Sequence, residues 1–354
     1  MMSPRRVLYL VIWCVLFIIF FISYKNSVIA AGPVISVTTS PVSLDLPLQP
    51  GTSATRTLQL KNNGTQPLQI TMKLEVFGPH GQNGEAAISQ PSPNDPSPSW
   101  VHFSPSSFIA QPGIWSSVQM TIQLPKSASL GYYYAVIFKP TIPNQPSSSL
   151  ATNTIKGSNA ILVLVDTGSA NESRQIQIAN FSASKRVYEY LPAEFSVTIH
   201  NEGNIYLAPT GSIFISRNSN PTHSIASINI NASEANVLPH SNRIFKATWS
   251  DGFPVFQPKL LDGQPVVTAK GQPVEQLVWD YSHVKGFRIG KYYAQLTLVF
   301  SNNGKVIPLT GQVSFWVIPW KLLIVGIVIS VLLLIGLWVV CRSILKKVKR
   351  LRKK

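Results

Sequence analysis

From Leu322 to Val340 the chain runs for nineteen residues without a charge, and Ser330 is the one hydroxyl in the run. At about 1.5 Å per helical residue such a stretch crosses a hydrocarbon core about 30 Å thick, and a helix satisfies every backbone group while doing so. A transmembrane helix is therefore expected over 320–341. Trp316, Trp320 and Lys321 stand at its start, where amphipathic rings and a lysine with an apolar stem favour the headgroup layer. Beyond it, Arg342, Lys346 and Lys347 open a tail, 342–354, that holds eight basic residues and no acid. The positive-inside rule keeps that tail in the cytoplasm, where its cations lie against anionic lipid. These six residues are the expected membrane-interface anchors.

The other end is also hydrophobic. Arg5 and Arg6 precede an apolar run from Val7 to Ile22, and Val28-Ile29-Ala30-Ala31 supplies small residues at signal-peptidase spacing. Residues 1–30 read as a secretory signal peptide; the length of the run and Lys25 leave an uncleaved anchor open. Both ends then place the protein in the cell membrane as a single-pass chain, with 31–320 extracellular. The charge agrees with this topology. The net +16 is concentrated in three basic residues before position 31 and nine after 320, with no acid in either end segment, which leaves +4 for the region between. No broad basic face remains for a nucleic acid.

Residues 31–320 contain no cysteine, so neither disulfides nor thiolate zinc sites hold this region together. Pro and Gly recur throughout it, and apolar residues alternate in short runs between turn residues. That pattern predicts an all-β chain of two tandem immunoglobulin-like β-sandwiches, 31–170 and 171–318. In the first, strands are expected near 34–38, 55–60, 68–77, 117–124, 132–138 and 160–166. The expected core is Leu44, Leu46, Leu58, Leu60, Leu68, Ile70, Val118, Met120, Ile122, Tyr133, Ala135, Ile137, Leu162 and Leu164. The Pro- and Ser-rich stretch 140–157 is expected to be a long hairpin loop. Two echoes tie the halves together: Val197-Thr-Ile-His-Asn-Glu-Gly203 matches Leu58-Gln-Leu-Lys-Asn-Asn-Gly64, and Gly290-Lys-Tyr-Tyr-Ala294 matches Gly131-Tyr-Tyr-Tyr-Ala135. The second copy is longer by an insertion, 251–288, carrying Phe253, Phe256, Trp279, Tyr281 and Phe287. Such a segment either covers an exposed sheet edge or carries function.

The Asn-Asn-Gly turn, Trp100-Val101, Pro112-Gly113, Leu124-Pro125 and Gly131-Tyr132-Tyr133 together resemble the first domain of the bacterial WxL-interacting surface proteins. Asn201-Glu-Gly-Asn204, Pro209-Thr-Gly211, Val237-Leu-Pro239 and Phe315-Trp-Val-Ile-Pro319 before a transmembrane helix resemble the second. The resemblance implies a signal peptide, two sandwiches, a membrane helix and a basic tail, with peptidoglycan contact for the first domain and partner or host-surface contact for the second. No binding motif carries those contacts over residue by residue, and the insertion departs from the family pattern.

Six histidines are scattered without metal-ligand spacing, no nucleophile elbow is present, and no cofactor or metal is expected. A non-enzymatic surface protein is the expectation. Its ectodomain binds a cell-wall polymer such as peptidoglycan, or a surface protein; the alternative is a membrane-tethered chaperone or assembly factor acting by strand addition. Trp115, Tyr132 and Tyr134 are candidate glycan-contact aromatics, with strand alternation sending at least half of the tyrosine run into the core. Asn63, Asn171, Asn180 and Asn231 stand in glycosylation triplets.

Overall fold

The computed structural model describes residues 35–141, 155–156, 160–219, 223–302 and 304–351. The signal segment and most of the 140–157 loop lie outside the described residues. The first sandwich is built from β1 (Ile35–Ser40), β2 (Ser43–Pro47), β3 (Ser53–Asn62), β4 (Leu68–His80), β5 (Glu85–Ser89), β6 (Val101–Ser104), β7 (Ser107–Ala110), β8 (Trp115–Gln123), β9 (Tyr132–Thr141), β10 (Ile155–Lys156) and β11 (Ala160–Asp166). One sheet has the order β10-β1-β3-β8-β6; the facing sheet has the order β2-β11-β9-β4-β5, with β7 also on β4. β9 and β11 pair antiparallel, so 140–157 does connect the two arms of a hairpin.

The second sandwich repeats the plan with β12 (Ile176–Ala183), β13 (Val187–Tyr188), β14 (Ala193–Asn201), β15 (Thr210–Ser216), β16 (Ala226–Ile230), β17 (Asn242–Trp249), β22 (Gly290–Asn302) and β23 (Lys305–Val317). Its sheets have the orders β12-β14-β17 and β13-β23-β22-β15-β16. The insertion supplies β18 (Val255–Pro258), β19 (Leu260–Leu261), β20 (Gln264–Pro265) and β21 (Glu275–Val278). The first strand of each sandwich changes sheets midway. β1 pairs antiparallel with β3, and after Pro41 the chain continues as β2, parallel to β11. In the same way β12 pairs antiparallel with β14, and β13 then runs parallel to β23. Such a switch hydrogen-bonds the chain's entry to both sheets.

Each sandwich has its own apolar core, one drawn from Ile35 through Val165 and the other from Ile176 through Val317. The strand and core expectations hold for β3, β4 and β8, but the inward face of β9 and β11 is the opposite of the expected one. Tyr134, Val136, Phe138, Ile161, Val163 and Val165 enter the first core. Tyr133, Ala135, Leu162 and Leu164 instead join Phe77 against Tyr206 and Leu238 of the second sandwich. Both faces of this sheet are apolar because both are covered, so period-two alternation no longer marks the inside.

The domains are tied at this contact. The Tyr206 N–H donates to Tyr133 Oη at 3.1 Å, and the Tyr133 and Tyr206 rings meet edge to face with centroids 6.2 Å apart. Arg174 braces the linker, with Nη2 2.8 Å from Asp166 Oδ2 and 2.9 Å from Glu172 Oε2.

After Pro319 comes α1 (Trp320–Leu351), a helix of 32 residues. Its stretch Trp320–Ser343 is long and apolar enough to cross a membrane. The helix does not stop at 341 but continues into the basic tail as far as Leu351, with no Pro or Gly to end it sooner.

Candidate functional site

Asparagine 201 sets the upper end of the second sandwich. Buried at the end of β14, it donates through Nδ2 to the carbonyls of Ile205 and Val237 and accepts from the Gly203 N–H. A side chain at position 203 would run into the Ser173 carbonyl oxygen, so this turn closes only on glycine. Val237 and Leu207 exchange two backbone hydrogen bonds, which bring the segment before β17 alongside.

β17 is therefore fixed in register against β14, and among the described residues no strand pairs with its other edge. Hydrogen-bonded and non-hydrogen-bonded pairs alternate along an antiparallel ladder. The Asn201 N–H donates to Ser241 O, and the register places Arg243, Phe245, Ala247 and Trp249 as the residues bonded to β14. Ile244, Lys246 and Thr248 consequently turn their N–H and C=O groups outward. The Ile244 N–H donates to Gln82 O at 2.7 Å, in the turn between β4 and β5 of the first domain. Among the described residues no hydrogen bond to the Lys246 or Thr248 N–H is present. The first domain thus starts a ladder on β17 that nothing described continues.

Alongside this edge lies a cleft of about 610 Å³, lined by Asn83, Asn229, Asn231, Arg243, Ile244 and Lys246 among others. No carboxylate lines it. Arg243 sits at its inner end, donating to the Asn236 carbonyl and lying 5.6 Å from the Phe245 ring centroid. Burial pushes the Arg243 guanidinium below its ordinary value. Gly84, at φ +78°, leaves the space that the guanidinium occupies. Asn231 is itself buried with φ near +53°, and its side chain bonds Pro209 O, Ala235 O and the Ala235 N–H, so this glycosylation triplet is closed.

The sequence-expected residues fall elsewhere. Tyr134 is 1% exposed and donates to Ser97 O at 3.2 Å. Tyr132 packs on the same core, edge to face with Trp100 and parallel to Tyr134. Tyr134 therefore has no free face, which follows from the reversed facing of β9, while Tyr132 is half-buried. Trp115 is 44% exposed at the start of β8, at the end of the first domain away from the second, near exposed Ile109 and Ile114. Asn62 organises that tip as Asn201 does its own, donating to Gln66 O and Ala110 O and accepting from the Gly64 N–H.

At the start of α1 Trp316 and Trp320 are exposed. Lys321 Nζ lies 2.9 Å from Glu189 Oε2 and 5.3 Å from the Trp320 ring centroid. Arg342 stacks over Trp338 at 5.1 Å, while Lys346 and Lys347 lie on α1 with their side chains outside the described residues. The insertion touches β17 at its last residue, where the Arg288 guanidinium lies 5.7 Å from the Trp249 ring centroid, but none of its strands pairs with β17. It meets the body through a Leu191–Val255 bridge and the Phe256 N–H donating to Leu191 O, so the expected cover of a sheet edge is absent there. Among the described residues, no three His, Cys, Asp or Glu side chains gather as a metal site.

No protein-family model and no curated protein matches the sequence. Several solved structures are similar. The class 5 fimbriae chaperone CfaA is 18% identical, with 68% of this chain and 98% of that chain covered and a TM-score of 0.34. The E. coli chaperone DraB is 11% identical over 78% and 96%, at a TM-score of 0.31. A Salmonella enterica SafA pilin complex with the SafB chaperone gives 10% identity over 79% and 97%, at 0.32. Likeness at these scores carries no argument about activity or partner. Sequence reasoning missed Lys246 and Thr248 because an open edge is a property of pairing; the signal available was the Lys246-Ala-Thr248 alternation of a half-buried strand.

Proposed function

We propose that this chain is a membrane-tethered, non-enzymatic binding module that holds an exported protein by strand addition, with a cleaved signal peptide, an extracellular ectodomain and a cytoplasmic basic tail. The observation that carries the reading is the outward ladder of β17, begun by Gln82 O on the Ile244 N–H and open at Lys246 and Thr248. An extended segment entering beside Gln82 meets backbone donors and acceptors in register, which is the source of affinity in strand addition. The basic and amide-lined cleft favours a segment with carboxylates, for which Arg243 and Lys246 are the described cations. The resemblance to WxL-interacting proteins is compatible with a surface protein as the partner.

The test is site-specific photo-crosslinking of the full chain in whole cells, with the photoreactive residue at Lys246. A discrete protein adduct is expected, falling to the level of a site on the opposite face of the chain when Thr248 is replaced by Pro. Proline removes an outward N–H that β14 does not use, so β17 keeps its own pairing. No adduct at position 246, or an adduct indifferent to Thr248→Pro, overturns the reading.

A second reading has its own observation. Exposed Trp115 with Ile114 at the far tip offers an aromatic face to a wall polymer. Co-sedimentation of the detergent-solubilised full chain with purified sacculi, lost in Trp115→Ala, would favour it.

A further inference from the structure

The insertion exposes more apolar surface than a solvated loop needs. Phe253 is buried and Phe256 half-buried, but Trp279, Tyr281, Val284 and Phe287 are exposed, Tyr281 at 74%. Its tip is built to hold two leucines outward. β19 and β20 form a two-residue hairpin whose turn, Asp262-Gly263, has positive φ at both positions, the geometry that Asp-Gly adopts in tight hairpins. The flanking Leu260 and Leu261 are 59% and 67% exposed. The Lys259 N–H donating to Val274 O and the Val266 N–H donating to Lys259 O fix the hairpin's base. A preorganised pair of exposed leucines is the reverse of what keeps a loop soluble.

Its position explains the exposure. The insertion meets the body at Leu191, and Tyr190 beside it touches the Phe256 and Trp279 rings, with centroids 6.1 and 6.4 Å away. Glu189, one residue earlier, holds Lys321 of α1, and the Ile318 N–H donates to Tyr188 O. Gly290, where the chain leaves the insertion, pairs with Val317, three residues before α1 begins. The apolar segment is thus rooted where the helix enters the membrane. From Val255 to Leu261 the chain extends at most about 20 Å, enough for the tip to reach a surface beginning at Trp320.

We propose that the insertion is a second membrane contact, in which Leu260 and Leu261 enter the outer leaflet of the bilayer that α1 crosses while Trp279, Tyr281 and Phe287 rest at headgroup level. The occupant is a zwitterionic lipid surface. Residues 251–288 carry four acidic and four basic side chains, so hydrophobic burial and aromatic anchoring, not net charge, hold the contact. With two attachments the ectodomain is oriented on the membrane instead of swinging on Ile318-Pro319. The inference rests on α1 spanning the bilayer and is independent of what β17 binds.

The experiment uses the full chain with Cys14 and Cys341 replaced by Ser, carrying one environment-sensitive fluorophore, in phosphatidylcholine vesicles that contain nitroxide-bearing lipid. Labels are compared at Leu261→Cys, Val331→Cys within α1, and Asn63→Cys at the far tip. The label at 261 is expected to shift to the blue and to be quenched severalfold more than the label at 63. A label at 261 as wet and unquenched as that at 63, while 331 is quenched, overturns the inference and leaves the transmembrane reading intact. Failure of quenching at 331 removes both. A blue-shifted label at 261 that lipid nitroxides do not quench, and that dims on dilution into excess lipid, means that a second protein copy covers the leucines, and also overturns it.

Discussion

The two sandwiches repeat one another in one motif and diverge in the other. Asn62 and Asn201 make the same three hydrogen bonds: to the carbonyl four residues on, to a carbonyl of a distant segment, and from the glycine N–H two residues on. The Gly-x-Tyr-Tyr-Ala motifs match as well in sequence, yet face opposite ways. Tyr292 and Ala294 point into the second core, where Tyr292 stacks near Phe315 and meets Trp249 edge to face. Their matched residues Tyr133 and Ala135 point out of the first core toward Tyr206 and Leu238. A buried asparagine has specific partners, so its position is fixed by what it must satisfy. A tyrosine on a sheet covered on both faces fits either side, and the neighbouring domain decides.

Removing rings is the largest way to break this comparison. Tyr292→Ala and Tyr134→Ala should each destabilise their own sandwich by about 3–5 kcal/mol, the usual cost of emptying a buried aromatic site. Tyr133→Ala should leave the first sandwich's own stability less affected while exposing the linker near 167–175 to protease. Urea unfolding of the full chain in detergent, read together with limited proteolysis, separates these cases. Equal loss of first-domain stability in Tyr133→Ala and Tyr134→Ala would refute the assigned facing.

Asn62→Ala and Asn201→Ala come next, with about 1–3 kcal/mol expected for each from the polar groups left buried without partners. Similar losses in the two domains would confirm a shared device. A loss confined to one copy would mean that the other turn re-forms around water.

What could be read in advance follows the same division. The asparagine turns, the hairpin across 140–157, the apolar helix and the strands flanking them were legible because each is a local pattern with a local physical cause. The reversed face of β9, the sheet-switching first strands and the open edge of β17 were not. Each depends on which distant strand lies alongside, and Lys246 reads the same in a central strand as in an edge. The insertion was visible as extra length with aromatics, but its root at Leu191 and Glu189, beside α1, is a three-dimensional fact.

A smaller effect, about 1 kcal/mol, is expected from Asp166→Asn, which weakens the brace between the domains. Burial pushes the Asp166 carboxyl up, but hydrogen bonds from Arg174 and the Gly168 N–H, with the Arg174 charge, bring it below the usual range. A lowered folded value means that the stabilisation is fully present above about pH 4, the unfolded value, and is lost as pH falls through the folded one. Asp45, raised by burial against a weaker hydrogen bond from Asn236, acts with the opposite sign. The difference between parent and Asp166→Asn stability, followed from pH 6 to pH 3, should therefore shrink toward zero. A difference that stays constant over that range would mean that Arg174 does not depend on the Asp166 charge.

The smallest effect sharpens the comparison most. Trp115→Ala should change stability by less than about 0.5 kcal/mol, because the ring is 44% exposed and the tip beneath it is held by Asn62. Lys246→Ala on the open edge of the second sandwich should be as quiet, since its side chain leaves the backbone ladder to β14 intact. Two substitutions that are silent in unfolding can then be compared by binding alone. If Lys246→Ala weakens crosslinking to a partner from a photoreactive residue at Asn83, in the same cleft, and Trp115→Ala does not, the duplicated fold has placed recognition on the edge of the copy next to α1 and left the other copy as its brace. If only Trp115→Ala does so, recognition sits at the far tip, and the ladder begun by Gln82 serves to lock the two domains together.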